Sequence, residues 1–346
     1  MKAICCLLIL TITACGQKEK EAERLPFTQV EIVPILEDSV SVRAIEVMGS
    51  NLAFAASRGW YGLYNDATGD LKVNLQEHDS VPPEFRAVAS TDNDFFMLSV
   101  GTPALLYKTG DTGRMELVYK EDHEKAFYDA MTFWNNEEGI AMGDPTDNCL
   151  SVIVTRDGGQ TWTKLECNIL PAVEEGEAAF AASNSNIAVA GNKAWILSGG
   201  MRSRIFHTAD KGNSWEVFET PLIQGAATTG GYSMDFYNEK VGIIAGGDYT
   251  NVGGNTNNIA VTTDGGKNWK VVSDGRGPGY LSAVRYIPGK EGNEIVAVGP
   301  EGIFYSENTG ENWEKLSSEA FHTVRFVTDS TAYAAGNNRI AKLKFK

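Results

Sequence analysis

Ten side chains carry the chemistry open to this sequence: Arg43, Arg58, Arg86, Asp129, Asp144, Glu177, Arg204, Asp248, Tyr249 and His322. Guanidinium groups hold a rigid fork of donors that matches a carboxylate or a phosphate. Arg43, Arg86 and Arg204 gathered around one point would therefore recognise an acidic ligand. Tyr249 beside Glu177 would form a nucleophile pair, and Asp144 would serve as an acid, a set that can cleave a glycosidic bond. The bland reading is that the same charges only neutralise one another. No residue is assigned a catalytic role. No metal or cofactor is expected either. The histidines His78, His123, His207 and His322 lack ligand spacing. There is no Cys-x-x-Cys pair and no Gly-x-Gly-x-x-Gly between a strand and a helix.

The elements that must position these residues are written as repeats. Thr155-Arg156-Asp157-Gly158-Gly159-Gln160-Thr161-Trp162 returns around Asp210 and Trp215, again around Asp264 and Trp269, and with Asn308 before Trp313. Worn copies lie at 109–113 and 65–69. This is the Asp-box pattern, Ser/Thr-x-Asp-x-Gly-x-Thr/Ser/Asn-Trp. The aspartate caps backbone N–H groups of a tight turn, glycine takes a positive φ, and tryptophan opens the next strand. Apolar alternation on both sides, as in Ser151-Val152-Ile153-Val154, makes each box a hairpin. The boxes are thus expected to be scaffold.

A second repeat precedes each box: Val42-Arg43-Ala44-Ile45, Phe85-Arg86-Ala87-Val88, Tyr128-Asp129-Ala130-Met131, Leu281-Ser282-Ala283-Val284 and Phe321-His322-Thr323-Val324. Gly176-Glu177-Ala178-Ala179 and Gly231-Tyr232-Ser233-Met234 fill the remaining places. Units of about 45 residues with four strands have the size of a propeller blade. The expected fold is all-β: a seven-bladed β-propeller of four-stranded antiparallel blades, starting near Arg43, Arg86, Asp129, Glu177, Tyr232, Ser282 and His322. The last blade ends on its third strand, 340–345, and the N-terminal strand 27–33 supplies the fourth and closes the ring. Such a topology gathers inner-strand starts on the face opposite the boxes. Cys149 and Cys167 flank one box and face each other across its hairpin, a possible disulfide.

The chain has 346 residues, 36 of them glycine, and a net charge of −15. That acidity argues against general nucleic-acid binding. Residues 1–14 read as a signal peptide, with Lys2 before an apolar run too short to span a bilayer. Thr13-Ala14-Cys15-Gly16 resembles a bacterial lipobox, so Cys15 is the expected lipidation site. Residues 15–25 are charged and read as a tether, and 26–346 as the propeller. The expectation is an outer-membrane lipoprotein, periplasmic or surface-exposed. It would be a monomer that meets the membrane only through the lipid.

Beyond the boxes, the chain resembles the bacterial propellers related to the photosystem II stability/assembly factor. The resemblance rests on Ala126–Trp134, Gly143-Asp144-Pro145, Gly176–Ser183, Arg204-Ile205-Phe206, Gly246–Thr250 and Ala297–Pro300. It implies a non-enzymatic exported scaffold that binds a protein partner through a basic patch, with Arg43, Arg86 and Arg204 its first candidates. Some relatives carry the name "oxidoreductase", which no motif here supports. The alternative is a glycan-binding or sialidase-like propeller, because Asp-box propellers include such hydrolases. It predicts that the three arginines converge in one pocket beside Tyr249 and Glu177. If the chain were an enzyme, it would be a glycoside hydrolase.

Overall fold

A computed structural model describes residues 25–110 and 112–346. The expected signal segment, Cys15 and its tether up to residue 24 lie outside the described residues, as does Asp111.

The β-branched and aromatic runs form strands, and the glycine-rich turns between them fold each run back on the last. Blade one is Ala44–Met48, Asn51–Ala55, Trp60–Asn65 and Leu71–Leu75, in that order across its sheet. Blades two, three and six repeat this, opening at Phe85–Ser90, Tyr128–Phe133 and Ala283–Tyr286. Blade five opens at Thr229–Phe236. In blade seven, Thr323–Phe326 is the inner strand. Thr331–Phe345 then doubles back near Asn338, whose φ is +63°, so that the Phe345 N–H reaches the Ser330 carbonyl at 2.8 Å. The N-terminal strand Val30–Ser41 pairs with the returning half, Val30 opposite Phe345 and Ser41 opposite Asn337. The ring is therefore closed by the N-terminal strand, which removes a free edge.

Closure is also visible in the core. Apolar clusters fill every junction between neighbouring blades. Phe54 and Tyr333 join blades one and seven, Phe85 and Ala53 join one and two, and Phe96 and Tyr128 join two and three. Met142 and Ile196, Trp195 and Met234, Ile243 and Ile295, and Val298 and Val324 join the rest in order. Trp195 is fully buried, stacks on Phe236 at 3.8 Å and donates its Nε1–H to the Gly265 carbonyl at 2.8 Å. One side chain thus ties blades four and five together.

Blade four departs from the expected start. Its inner strand is Ile187–Ala190, not a strand opening at Glu177. Glu177-Ala178 instead pairs with Gly199-Gly200, which in turn bonds to blade five through Gly230. The segment from Ala179 to Asn186 between them is a plug in the central channel. Asn184 Nδ2 donates to the Val88 carbonyl at 2.7 Å, and its Oδ1 accepts the Met131 N–H at 2.9 Å. Ser183 Oγ reaches the Ser282 carbonyl, and Ser185 Oγ reaches Ser233 Oγ. Arg325 donates to the carbonyls of Ser183 and Asn184, and Arg43 to that of Ala182. Buried backbone polar groups must be paired. The plug meets that need by bonding to inner strands all around the ring.

The repeated turns have one geometry. Asp157 Oδ1 accepts the Thr161 N–H at 3.0 Å and the Thr155 hydroxyl at 2.8 Å, while Gly159 N–H donates to Thr155 Oγ1 at 2.9 Å. Asp210, Asp264 and Asn308 repeat the bonding. The indoles of Trp215, Trp269 and Trp313 donate to the carbonyls of Gly212, Gly266 and Gly310. Trp162 instead packs edge-on against Phe133, and its Nε1 has no partner among the described residues. Cys149 and Cys167 form a disulfide with Cα atoms 5.5 Å apart.

Candidate functional site: an arginine and tyrosine cup over the plug

On the face opposite the Asp turns, the plug converts the channel mouth into a cup of about 760 Å³. Phe180, Ala181 and Ala182 of the plug are its floor. Inner-strand starts supply Arg43, Arg86, Tyr232, Ser282 and His322, and the loop after blade five's second strand supplies Tyr249 and Val252. A β-bulge inserts a residue and re-aims its side chain. Such register breaks fall between Phe85 and Ala87, Tyr128 and Ala130, and Gly231 and Ser233. The bulged residues are Arg86, Asp129 and Tyr232, three members of the inner ring.

One wall is aromatic. Phe180 stacks on Tyr232 at 3.9 Å, and Tyr280 and Tyr249 meet Tyr232 edge-on at 4.8 and 6.4 Å. Tyr232 donates its hydroxyl to the Thr228 carbonyl at 2.8 Å. Burial raises the Tyr232 and Tyr280 phenols above their usual range, so both are neutral donors. Tyr249 is half exposed, at 51%, and Val252 is exposed at 39%. They form an open lip.

The other wall is cationic. Neither Arg43 nor Arg86 has an ion-pair partner among the described residues; Arg43 donates only to the Ala182 carbonyl, at 3.3 Å. Burial, then the charge of Arg86, pulls the Arg43 guanidinium below its usual range. Burial and the same two arginines push His322 down to about 4, with a hydrogen bond to Asn337 working the other way. His322 is therefore neutral at physiological pH. Arg339 also lines the cup, but Glu319 takes it at 2.6 Å and it stacks over Phe321. Glu37 is the carboxylate on the same lining and pairs with neither Arg43 nor Arg86, so the cup holds two guanidiniums without an ion-pair partner among the described residues, in a chain of net charge −15.

Other candidates stand elsewhere. Arg204 does not line the cup. Its Nε reaches Glu177 Oε1 at 3.0 Å, its Nη2 bonds Glu177 Oε2, and Ser198 Oγ and the Glu174 N–H complete that carboxylate. The three arginines therefore do not converge, and Glu177 is not beside Tyr249. The nucleophile pair required for sialidase-type cleavage is not formed. Arg58 sits at φ +58° in an exposed turn outside the cup. Asp248 caps its own loop, accepting the Thr250 N–H and hydroxyl. Asp144 accepts the Ala179 N–H at 2.8 Å and so anchors the start of the plug. Asp129 lies behind Arg86, fully buried.

Sequence reading missed Phe180, Tyr280, Val252 and the plug. The neutral run Ser183-Asn184-Ser185-Asn186 was its signal: small polar side chains can bond backbone from a channel centre. A mutually neutralising ring does exist, at unforeseen residues on the other side of the plug. There Glu46, Asp235, Arg285 and Arg325 share the channel, and burial together with Arg285 lowers Arg325 to about 9.

Fold and site define a seven-bladed propeller with one channel mouth built as a cup. No family model and no curated protein matches the sequence. Solved structures do match in fold. One is described as YCF48 bound to D1 peptide, at 14% identity and a TM-score of 0.67, covering 93% of this chain and 96% of that one. YCF48 from Cyanidioschyzon merolae follows at 12% and 0.63, covering 92% and 98%. A structure of U3-55K aligns at 11% and 0.62, covering 91% and 98%. At such identities the likeness is one of fold.

Proposed function

We propose that this protein is a non-enzymatic binding or assembly scaffold, and that the cup is where it takes an acidic segment of a protein partner. One observation carries the reading: Arg43 and Arg86 line a concave aromatic recess, and neither has an ion-pair partner among the described residues, Glu37 on the same lining included. Desolvated guanidiniums gain most when an anion completes them. Aromatic side chains beside them suit the apolar part of a peptide. The fold neighbour bound to a D1 peptide lends support, since a propeller of this shape can hold a peptide. The lipobox-like Thr13-Ala14-Cys15-Gly16 supports an exported lipoprotein anchored through Cys15 in the outer membrane.

Affinity capture from cell envelopes with wild type and Arg86→Glu tests the scaffold reading. The expected result is loss of a discrete partner from the variant. Identical partner sets would contradict it. In the same cells, Cys15→Ser should abolish incorporation of a palmitate analogue, and continued labelling would contradict the anchor.

A further inference from the structure

We infer that Asp129 is the charge-setting residue of the cup, its protonated form favouring capture of an anionic ligand. The inference rests on the cup reading above and deepens it.

Asp129 has no exposed surface, and neither carboxylate oxygen has a hydrogen-bond partner among the described residues. An ionised carboxylate in that condition is costly, and the group escapes the cost by holding a proton. Its position explains why the proton matters. Asp129 is the bulged residue of the blade-three inner strand, and Arg86 is the bulged residue of the adjacent blade-two strand. Arg86 lines the cup, whereas Asp129 lies behind it.

The surroundings define the balance of charge. From its own blade, Asp129 meets Asp144, which follows the second strand. From blade two it meets Arg86. Tyr128 on its own strand is turned away and bonds Glu121. The plug from Ala179 to Asn186 and the blade-four strand Ile187–Ala190 carry no titratable side chain. Burial and Asp144 thus favour the acid form, and Arg86 alone opposes them. The acid is raised well above the ordinary aspartate range.

The linkage follows with a definite sign. When Asp129 is protonated, the full charge of Arg86 faces the cup. When it ionises, Arg86 is partly neutralised from behind. An anion in the cup disfavours ionisation of Asp129, so binding draws a proton onto it wherever it is ionised in the free protein. Affinity for an anion should therefore fall as pH rises through the Asp129 titration. An extra charge behind Arg86 is worth on the order of a tenfold change.

The test uses a fluorescent glutamate–tyrosine copolymer, whose carboxylates are ionised throughout the range, against the folded chain from pH 6 to a pH above the Asp129 titration, which carbon-13 detection of its carboxyl locates. Wild type should lose about tenfold in affinity across the range. Asp129→Asn, fixed as a neutral isostere, should keep the pH 6 affinity across it. That gain at high pH is not a readout of mere misfolding. His322 is neutral throughout the range and does not share the signal. Equal wild-type affinity at both ends, or an Asp129→Asn profile parallel to wild type, would overturn the linkage while leaving the cup reading standing. A copolymer that binds neither protein at any pH would bring down the cup reading and the linkage with it. Carbon-13 detection of the Asp129 carboxyl gives a ligand-free check. A titration near the ordinary aspartate value would overturn the inference.

Discussion

Asp157, Asp210 and Asp264 hold the repeated turns by accepting several hydrogen bonds each. Burial works to raise these carboxyls, but the bonds from Thr161, Ser214 and Asn268 outweigh it and leave all three below the usual range. A carboxylate depressed in the folded state stabilises it above the unfolded value of about 3.9. That contribution is lost as pH falls through the folded value. Asp264→Ala should therefore lower stability by about 1 kcal/mol near neutrality. In urea unfolding, the gap between variant and wild type should close below about pH 4. A gap that persists unchanged at pH 3 would contradict the role of the charge. Asn308 makes the same turn with an amide, so shape alone is kept by either residue.

These turns were legible because a side chain, a backbone donor and a glycine lie within a few residues of one another. Local chemistry of that kind leaves a spacing in the sequence. The cup was only half legible. Arg43, Arg86 and His322 could be grouped on one face because inner-strand starts share a pattern, and Tyr249 because second strands end on that face. Arg204 and Glu177 were misplaced because their pairing spans the interruption of blade four, which local spacing does not encode.

At the level of elements, the disulfide closes the hairpin of blade three. Its fourth strand is short, Thr163-Lys164, and blade three's ladder there has only two pairs. The chain from Cys149 to Cys167, a separation of 18 residues, is held by the covalent link instead. Closing a loop of that length is worth about 3 kcal/mol through the unfolded chain. Cys167→Ser should cost about that amount in denaturant unfolding and free one thiol, on Cys149. No new thiol, or an unchanged midpoint, would contradict the bridge. Sequence alone put the two cysteines on one hairpin but left the bond open. Facing strand positions permit a bridge only at certain pair types.

The plug is the element that sequence reading did not find. It replaces what looked like an inner strand at Glu177 with a crossing of the channel. Strand pattern shows where chain is extended, not whether it runs up a blade or across the axis. Glycine–glycine contact lets this detour fit. A Cβ on Gly230 would lie 2.5 Å from the Cα of Gly199, so the two backbones approach only because both residues are glycine.

For the whole molecule, closure fixes both which face is which and where the chain enters. Ser41 lies opposite Asn337 at the cup, and Val30 lies at the other end of the same strand. Residues upstream of Val30 therefore join the ring on the face of the Asp turns. A lipid anchor at Cys15 would hold that face toward the membrane and present the cup away from it. The net charge of −15 keeps the outer surface repulsive to anionic partners in general. On the proposed reading, an acidic segment would be selected by the recess where Arg43 and Arg86 lack ion-pair partners among the described residues. The ring and its seven blades could be foreseen because repeats are written along the chain. The distribution of charge between the two ends of the channel could not, because it depends on how the inner ring is divided by the plug.

The most direct test places a photo-crosslinking residue at Tyr249 or Val252 on the lip of the cup, and at Lys267 on the opposite face. Irradiation of living cells should give a common protein adduct from Tyr249 and Val252 and none from Lys267. Adding Arg86→Glu should remove that adduct. An adduct from Lys267 alone, or a cup adduct indifferent to Arg86→Glu, would contradict the cup as the binding site.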